Sequence, residues 1–134
     1  MTANRKRVLI VEDNTLNREL LVQLLEGDCD VLQAVNGLEA VECAHREHPD
    51  LILMDLSMPV LNGWDATVVL KRRAATSRIP VVAVSARTMR EEVSRAQRAG
   101  VDDFVPLPLD EQRFLSVVGR HLNIPLRETA VEQC

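Results

Sequence analysis

No apolar run among the 134 residues approaches the roughly 18 needed to cross a bilayer. The polar N-terminus also lacks the apolar core of a secretion signal, so the sequence reads as a cytoplasmic protein without membrane contact. Cysteine is sparse: Cys29, Cys43 and Cys134 are odd in number, far apart and without a C-x-x-C pair. That pattern points to free thiols in a reducing compartment. A basic surface is missing as well. The formal charge is -4, and the run Arg5-Lys6-Arg7 reads as a solvated lead into the first strand, so nucleic acid is excluded as a partner. The length has room for one domain with a real hydrophobic core and not for two. With 46% hydrophobic and 27% charged residues, the composition is that of an ordinary soluble globular protein.

What the chain does have is three short apolar runs, each ending on a polar residue. Val8 to Val11 leads to Glu12 and Asp13, Leu51 to Met54 leads to Asp55, and Val81 to Val84 leads to Ser85. Unalternated runs of this length predict strands buried on both faces of a parallel sheet, with three carboxylates and a hydroxyl at one sheet edge. Open parallel sheets carry their chemistry at that edge. Between the strands, Asn14 is placed to cap a helix bearing Leu16, Leu20, Leu21, Leu24 and Leu25 at the helical period, with Gly27 near its end. A weaker strand, Asp30 to Val35, leads through Asn36-Gly37 into a helix with Ala40, Val41 and Ala44, closed by Pro49. A loop from Ser57 to Gly63 precedes a helix from about Trp64 to Ala75. Thr88 is the predicted cap of the next helix, which Gly100 ends. Asp102 to Pro106 reads as a short fifth strand, limited to an edge or an end by its proline. Pro108 to about Leu122 forms the last helix, with Phe114, Leu115, Val118 and Leu122 on one face. This alternation predicts a doubly wound α/β sandwich.

The runs VLIVEDN, LILMDLSMPVLNGWD, VVAVSA and GVDDFVPLP, in that order and spacing, resemble the receiver domain of bacterial response regulators. The likeness covers about residues 6 to 123 as one receiver domain, leaving 124 to 134 as a short tail with no output domain. It implies a flavodoxin-like five-stranded parallel sheet in the order 2-1-3-4-5 with helices on both faces. It also implies a phosphoacceptor rather than an enzyme: Asp55 would take a phosphoryl group from a sensor histidine kinase or a histidine phosphotransfer protein. Glu12 and Asp13 match the family's metal-binding acids, Ser85 its switch hydroxyl and Phe104 its rotating aromatic. Downstream proteins would dock on the face of the fourth helix, fifth strand and fifth helix, where Arg90, Arg95, Arg98, Glu91 and Glu92 mix charge.

The same residues can be read chemically. Three carboxylates at one edge repel one another, so one takes a proton or a divalent cation neutralises the group. Magnesium suits Asp13, Asp55, the Ser57 backbone carbonyl and waters, with Glu12 acting through water and manganese as the alternative ion. An oxygen of Asp55 could then attack a phosphoryl donor in line, and Ser85 could donate to the new group.

One residue departs from the family pattern. Where a Lys-Pro pair is expected after the fifth strand, the chain has Leu107-Pro108. Leucine removes a charge-assisted contact worth on the order of 1.5–3 kcal/mol, roughly a ten- to hundredfold weaker bias toward a switched form. Either a nearby cation substitutes, with Arg87 on the loop after Ser85 and Arg90 at the following helix, or the chain is a pseudo-receiver that binds partners without phosphorylation.

Plainer roles stand beside these. Glu12 and Asp13 could cap the first helix, Phe104 and Phe114 could be core, Asp102-Asp103 a turn, and Trp64 partial packing on the third helix. His45 and His48, three apart, lack further metal ligands and read as a solvated face. A haloacid-dehalogenase-type phosphatase would need a second acid where Ser57 stands. A flavodoxin-like cofactor site would find Glu12-Asp13-Asn14 repulsive to phosphate.

Overall fold

The computed structural model describes residues 5–58 and 60–126. Among these residues five strands and five helices alternate: β1 Arg7–Val11, α1 Thr15–Leu25, β2 Asp30–Ala34, α2 Gly37–Glu47, β3 Leu51–Met54, α3 Gly63–Arg72, β4 Val81–Ser85, α4 Arg90–Ala99, β5 Asp103–Pro106 and α5 Glu111–Leu122. All strand pairs are parallel, in the order β2-β1-β3-β4-β5, as expected. Alternate residues of each central strand feed two separate cores. Val8, Ile10, Leu51, Leu53, Val82 and Val84 pack under α1 and α5 with Leu25, Phe114 and Val118. Leu9, Val11, Ile52, Met54, Val81 and Ala83 pack under α2, α3 and α4 with Ala40, Leu70 and Ala96. Burial on both faces is what the unalternated apolar runs require.

Several boundaries differ from the sequence expectation, each for a local reason. Helix α4 starts at Arg90, and Thr88 does not cap it: the Glu92 carboxylate accepts from the Met89 backbone N–H at 3.3 Å and closes that end. Helix α5 starts at Glu111 rather than Pro108, because the Asp110 side chain accepts from the Arg113 N–H at 3.2 Å. The Leu107-Pro108 peptide before it is cis. Helix α3 stops at Arg72, and Asn62 caps its start. The expected leucine stripe of α1 is only partly interior. Leu21 and Leu25 are buried, while Leu16 is 76% and Leu20 40% exposed, since the stripe is wider than the strip the sheet covers.

The basic lead-in is not simply solvated. Arg5 donates to the carbonyls of Glu26 and Cys29, and Arg7 pairs with Glu47 at 2.6 Å. Asp102-Asp103 is no turn either. Asp102 accepts from the Val81 N–H and from Lys71, and Asp103 opens β5 and pairs with Arg120 and His121. Ile124 and Leu126, at the start of the expected tail, pack back on the α1 and α5 side. Cys29 and Cys43 are buried free thiols, while Cys134 lies outside the described residues. Among the described residues no helix is long and apolar enough to cross a membrane.

Candidate functional site

The parallel register sets the ends of β1, β3 and β4 side by side. Asp55 donates its backbone N–H to the Val11 carbonyl at 3.0 Å, which fixes the residue after β3 against the end of β1. Glu12 donates its own N–H to Ala34 at 3.0 Å, and Arg18 holds the Glu12 carbonyl at 2.9 Å. Gly63 then lets α3 begin close to the site. A Cβ there would meet the Asp55 carbonyl oxygen at 2.2 Å, an approach only glycine permits.

These constraints bring one carboxylate oxygen from each of Glu12, Asp13 and Asp55 within 4.8 Å of one another. They lie in a cleft of about 380 Å³ that Asn14, Asn17, Ser57, Ser85, Arg87 and Leu107 also line. Glu12 is 3% exposed and Ser85 1%, whereas Asp13 faces solvent and Asp55 is half-buried. The Asn14 N–H donates to Glu12 at 3.1 Å and the Ser57 N–H to Asp55 at 3.2 Å. Asn14 also caps α1, its side chain accepting from the Asn17 N–H at 2.9 Å. Helix capping and the acid pair are therefore adjacent and separate: Asn14 holds the helix, which leaves both acids to the cleft.

Burial, with crowding behind it, disfavours the charged forms of these acids. Burial, opposed by the Asn14 amide and reinforced by the neighbouring Asp55 charge, pushes the Glu12 carboxyl up to about 8. Burial likewise raises Asp55, offset in part by the Ser57 amide and by a hydrogen bond from Glu12. Both shifts favour a protonated carboxyl in the pair when no cation is bound. Such a donor set, hard oxygens short of one positive charge, fits a small divalent cation.

The remaining predicted residues fall around the rim. The Ser85 hydroxyl accepts from the Arg87 N–H at 3.0 Å, and the Ser85 carbonyl accepts from the Leu107 N–H at 3.0 Å. Leu107 is thereby held in the cleft wall, and it also lines a small apolar space with Leu20, Leu21, Val84, Leu109 and Glu12. Arg87 turns its guanidinium to Glu92 at 2.9 Å. Arg90 heads α4 on the surface. Phe104 is half-buried, opposite Ala83 in the β4–β5 register and packed toward the α2–α4 core. Trp64 is not partial packing: it is buried, donates to the Glu92 carbonyl at 3.3 Å and carries Arg95 over its ring at 4.3 Å. Its surroundings are those of α4 rather than of the acids. His45 and His48 are exposed, with ring centroids 6.4 Å apart, and join no metal cluster among the described residues.

Sequence reasoning missed Arg18, and it placed Glu92 on the charged face of the fourth helix without its bonds to Met89 and Arg87. Arg18 carries no motif signal. Glu92 stands three residues after Met89, the spacing of a capping box, but methionine in place of a hydroxyl residue hid it.

Comparison with known proteins gives concordant likenesses. The family model described as response regulator receiver domain matches residues 8–119. The polar-differentiation response regulator DivK of Brucella ovis is 36% identical over 118 residues, covering 87% of this chain and 96% of that protein. Hybrid signal transduction histidine kinase G of Dictyostelium discoideum is 39% identical over 124 residues, 90% of this chain, which spans 4% of that protein's length. Among solved structures, the receiver domain of the sensor histidine kinase PA1611 of Pseudomonas aeruginosa superposes with a TM-score of 0.83 at 28% identity, covering 88% of this chain and 98% of that one. That crystal structure has a magnesium ion coordinated in its active-site cleft.

Proposed function

The chain belongs to the response regulator receiver domain family of two-component signalling, and from that premise we propose that Asp55 is its phosphoacceptor in a phosphorelay. The observation that carries this reading is the convergence of Glu12, Asp13 and Asp55 within 4.8 Å at one strand edge. Asp55 is the only one of the three at the end of the central strand β3, with Ser85 and Arg87 lining the same cleft. Family members act as phosphoacceptors rather than as catalysts of a separate reaction.

In the proposed reaction, a carboxylate oxygen of Asp55 attacks the phosphorus of a phosphohistidine. The O–P bond forms as the P–N bond breaks, and the imidazole leaves, taking a proton. The Ser57 N–H keeps one Asp55 oxygen oriented, and the Ser85 hydroxyl donates to a phosphoryl oxygen. Glu12, Asp13, Asp55 and the Ser57 carbonyl are the groups that would hold magnesium. When bound, the ion supplies positive charge to the acids and to the transferring group. Arg87 is the cation we assign to the vacancy left by Leu107, and Phe104 the aromatic that follows the loop after Ser85. Intact-mass measurement after incubation with a phosphodonor and magnesium tests the assignment, with label expected on the wild type and none on Asp55→Asn. Leu107 favours a second reading, a phosphorylation-independent binding module, and absence of label on the wild-type protein would select it.

The donor is proposed to be a histidine kinase or histidine phosphotransfer protein that covers Leu16 and Leu20. These two exposed leucines stand on α1 beside the cleft-lining Asn17, and an apolar pair rimmed by polar groups suits a docking contact. Replacing Leu16 with Glu is expected to slow transfer from a protein donor about tenfold or more, as loss of a central interface anchor does. Labelling by a small-molecule donor should stay unchanged. Equal slowing with both donors would reject the docking role. The downstream face is proposed to be that of α4, β5 and α5, with Met89 exposed at its edge.

The proton on Glu12 makes a separate expectation. A carboxyl whose folded value lies near 8 against an ordinary 4.5 stabilises the fold below about 4.5 and loses that contribution as pH rises through about 8. In chelator, the melting temperature should therefore fall across this window. Magnesium should restore it most strongly at the alkaline end, with proton release on binding at neutral pH. Melting curves and titration in weak buffer check both signs, and a melting temperature that rose through the window would contradict them.

A further inference from the structure

We propose that Glu92 is a positioning residue for Arg87, holding its guanidinium away from the acid cleft until a phosphoryl group on Asp55 draws it in. This rests on Asp55 being the phosphoacceptor. Among the described residues lining the cleft, Arg87 is the one cation. Its backbone is anchored there, because its N–H donates to the Ser85 hydroxyl at 3.0 Å. Its guanidinium is nevertheless engaged elsewhere, with a Glu92 carboxylate oxygen at 2.9 Å.

Glu92 is suited to hold and to release. Its other carboxylate oxygen accepts from the Met89 N–H at 3.3 Å, and it sits in the first turn of α4, where helix charge favours an acid. It therefore keeps a partner when Arg87 leaves. The competition is unequal. Glu92 offers Arg87 one oxygen of a singly charged group, whereas a phosphoryl group offers up to two charges and a bidentate match to the guanidinium fork. Before modification the half-exposed pair with Glu92 prevails, and afterwards the phosphoryl group does.

Release also reaches a neighbouring helix. The Glu92 carbonyl accepts from the Trp64 indole at 3.3 Å, and Arg95, one turn further along α4, stacks on that ring and pairs with Asp65 at 3.6 Å. A change at the Glu92 carboxylate is thus felt where α4 meets α3, beside a fluorophore.

The test compares wild type, Glu92→Gln, Arg87→Ala and the double variant, using beryllium trifluoride with magnesium as the acyl-phosphate mimic. Glutamine keeps an acceptor for the Met89 N–H and removes the charge, so the helix cap survives. Arg87→Ala is a surface change that leaves the cap untouched. Calorimetry is expected to show Glu92→Gln binding the mimic about two- to fivefold tighter than wild type, the range of a half-exposed ion pair. The gain should vanish in the Arg87→Ala background and shrink at high salt. The Trp64 emission change on binding should be smaller in Glu92→Gln, because Arg87 is already free. Equal affinity of Glu92→Gln and wild type, or a gain that persists without Arg87, overturns the inference. Mass spectrometry of the wild type with a small phosphodonor separates the two levels. Label on Asp55 without coupling between Arg87 and Glu92 rejects this inference alone, and no label on Asp55 rejects the phosphoacceptor reading with it.

Discussion

Asp55→Asn is expected to reduce phosphoryl uptake to background with both a small-molecule donor and a protein donor. The amide is nearly isosteric and its oxygen still accepts from the Ser57 N–H that now holds Asp55 at 3.2 Å, so the cleft keeps its shape. What is lost is the anionic oxygen that attacks phosphorus, and no neighbouring acid can take its place. Asp13 is an exposed member of the cleft lining and Glu12 is buried; both follow β1, and neither stands at the end of β3. Intact-mass measurement after incubation with donor and magnesium reads the result directly. The variant carries a second signature. Asp55 raises Glu12 both by its charge and by accepting its hydrogen bond, so the asparagine variant should bring the Glu12 carboxyl down from about 8 while burial keeps it above the ordinary range. Its loss of stability toward alkaline pH should be smaller than that of wild type. Uptake at the wild-type level by Asp55→Asn would place the acceptor on another residue and rule out Asp55.

The fold was legible because burial on both faces leaves little freedom in composition. Strands β1, β3 and β4 contain the runs Val8–Val11, Leu51–Met54 and Val81–Val84, all buried, and runs of that length bounded by polar residues suit strands covered on both faces. From there, strand ends locate the acids without further information. Helix ends were less legible, since competing caps differ by little energy. Pro108 could have begun α5, but Asp110 offered the better N–H acceptor. Long-range side-chain pairing was not legible at all. Asp103 and His121 are 18 residues apart on separate elements, and Arg87 meets Glu92 across a turn whose shape no residue pattern announces. The α1 stripe misled for the opposite reason. Leu16 and Leu20 follow the helical period faithfully, yet the sheet beneath is too narrow to cover them.

Leu107→Lys is expected to tighten binding of beryllium trifluoride with magnesium roughly ten- to hundredfold, the equivalent of a charge-assisted contact of about 1.5–3 kcal/mol. The backbone already places the residue correctly, because the Leu107 N–H is fixed to the Ser85 carbonyl at 3.0 Å and the position lines the acid cleft. The present side chain shares a small apolar space with Leu20, Leu21, Val84 and Leu109 beside Glu12. A lysine stem can lie along the same wall with its ammonium in the cleft. That ammonium favours the ionised form of Glu12, so the carboxyl should fall below about 8 and the alkaline loss of stability should lessen. The two effects have one cause and are expected together. The new cation should also displace Arg87 from its proposed role. Arg87→Ala should then weaken binding of the mimic less in the lysine background than in wild type, a non-additivity that neither substitution shows alone. A lysine variant with unchanged affinity and unchanged alkaline stability would place residue 107 outside the electrostatic reach of the acids. In that case the leucine would be part of the α1 packing and not a vacancy in the cleft.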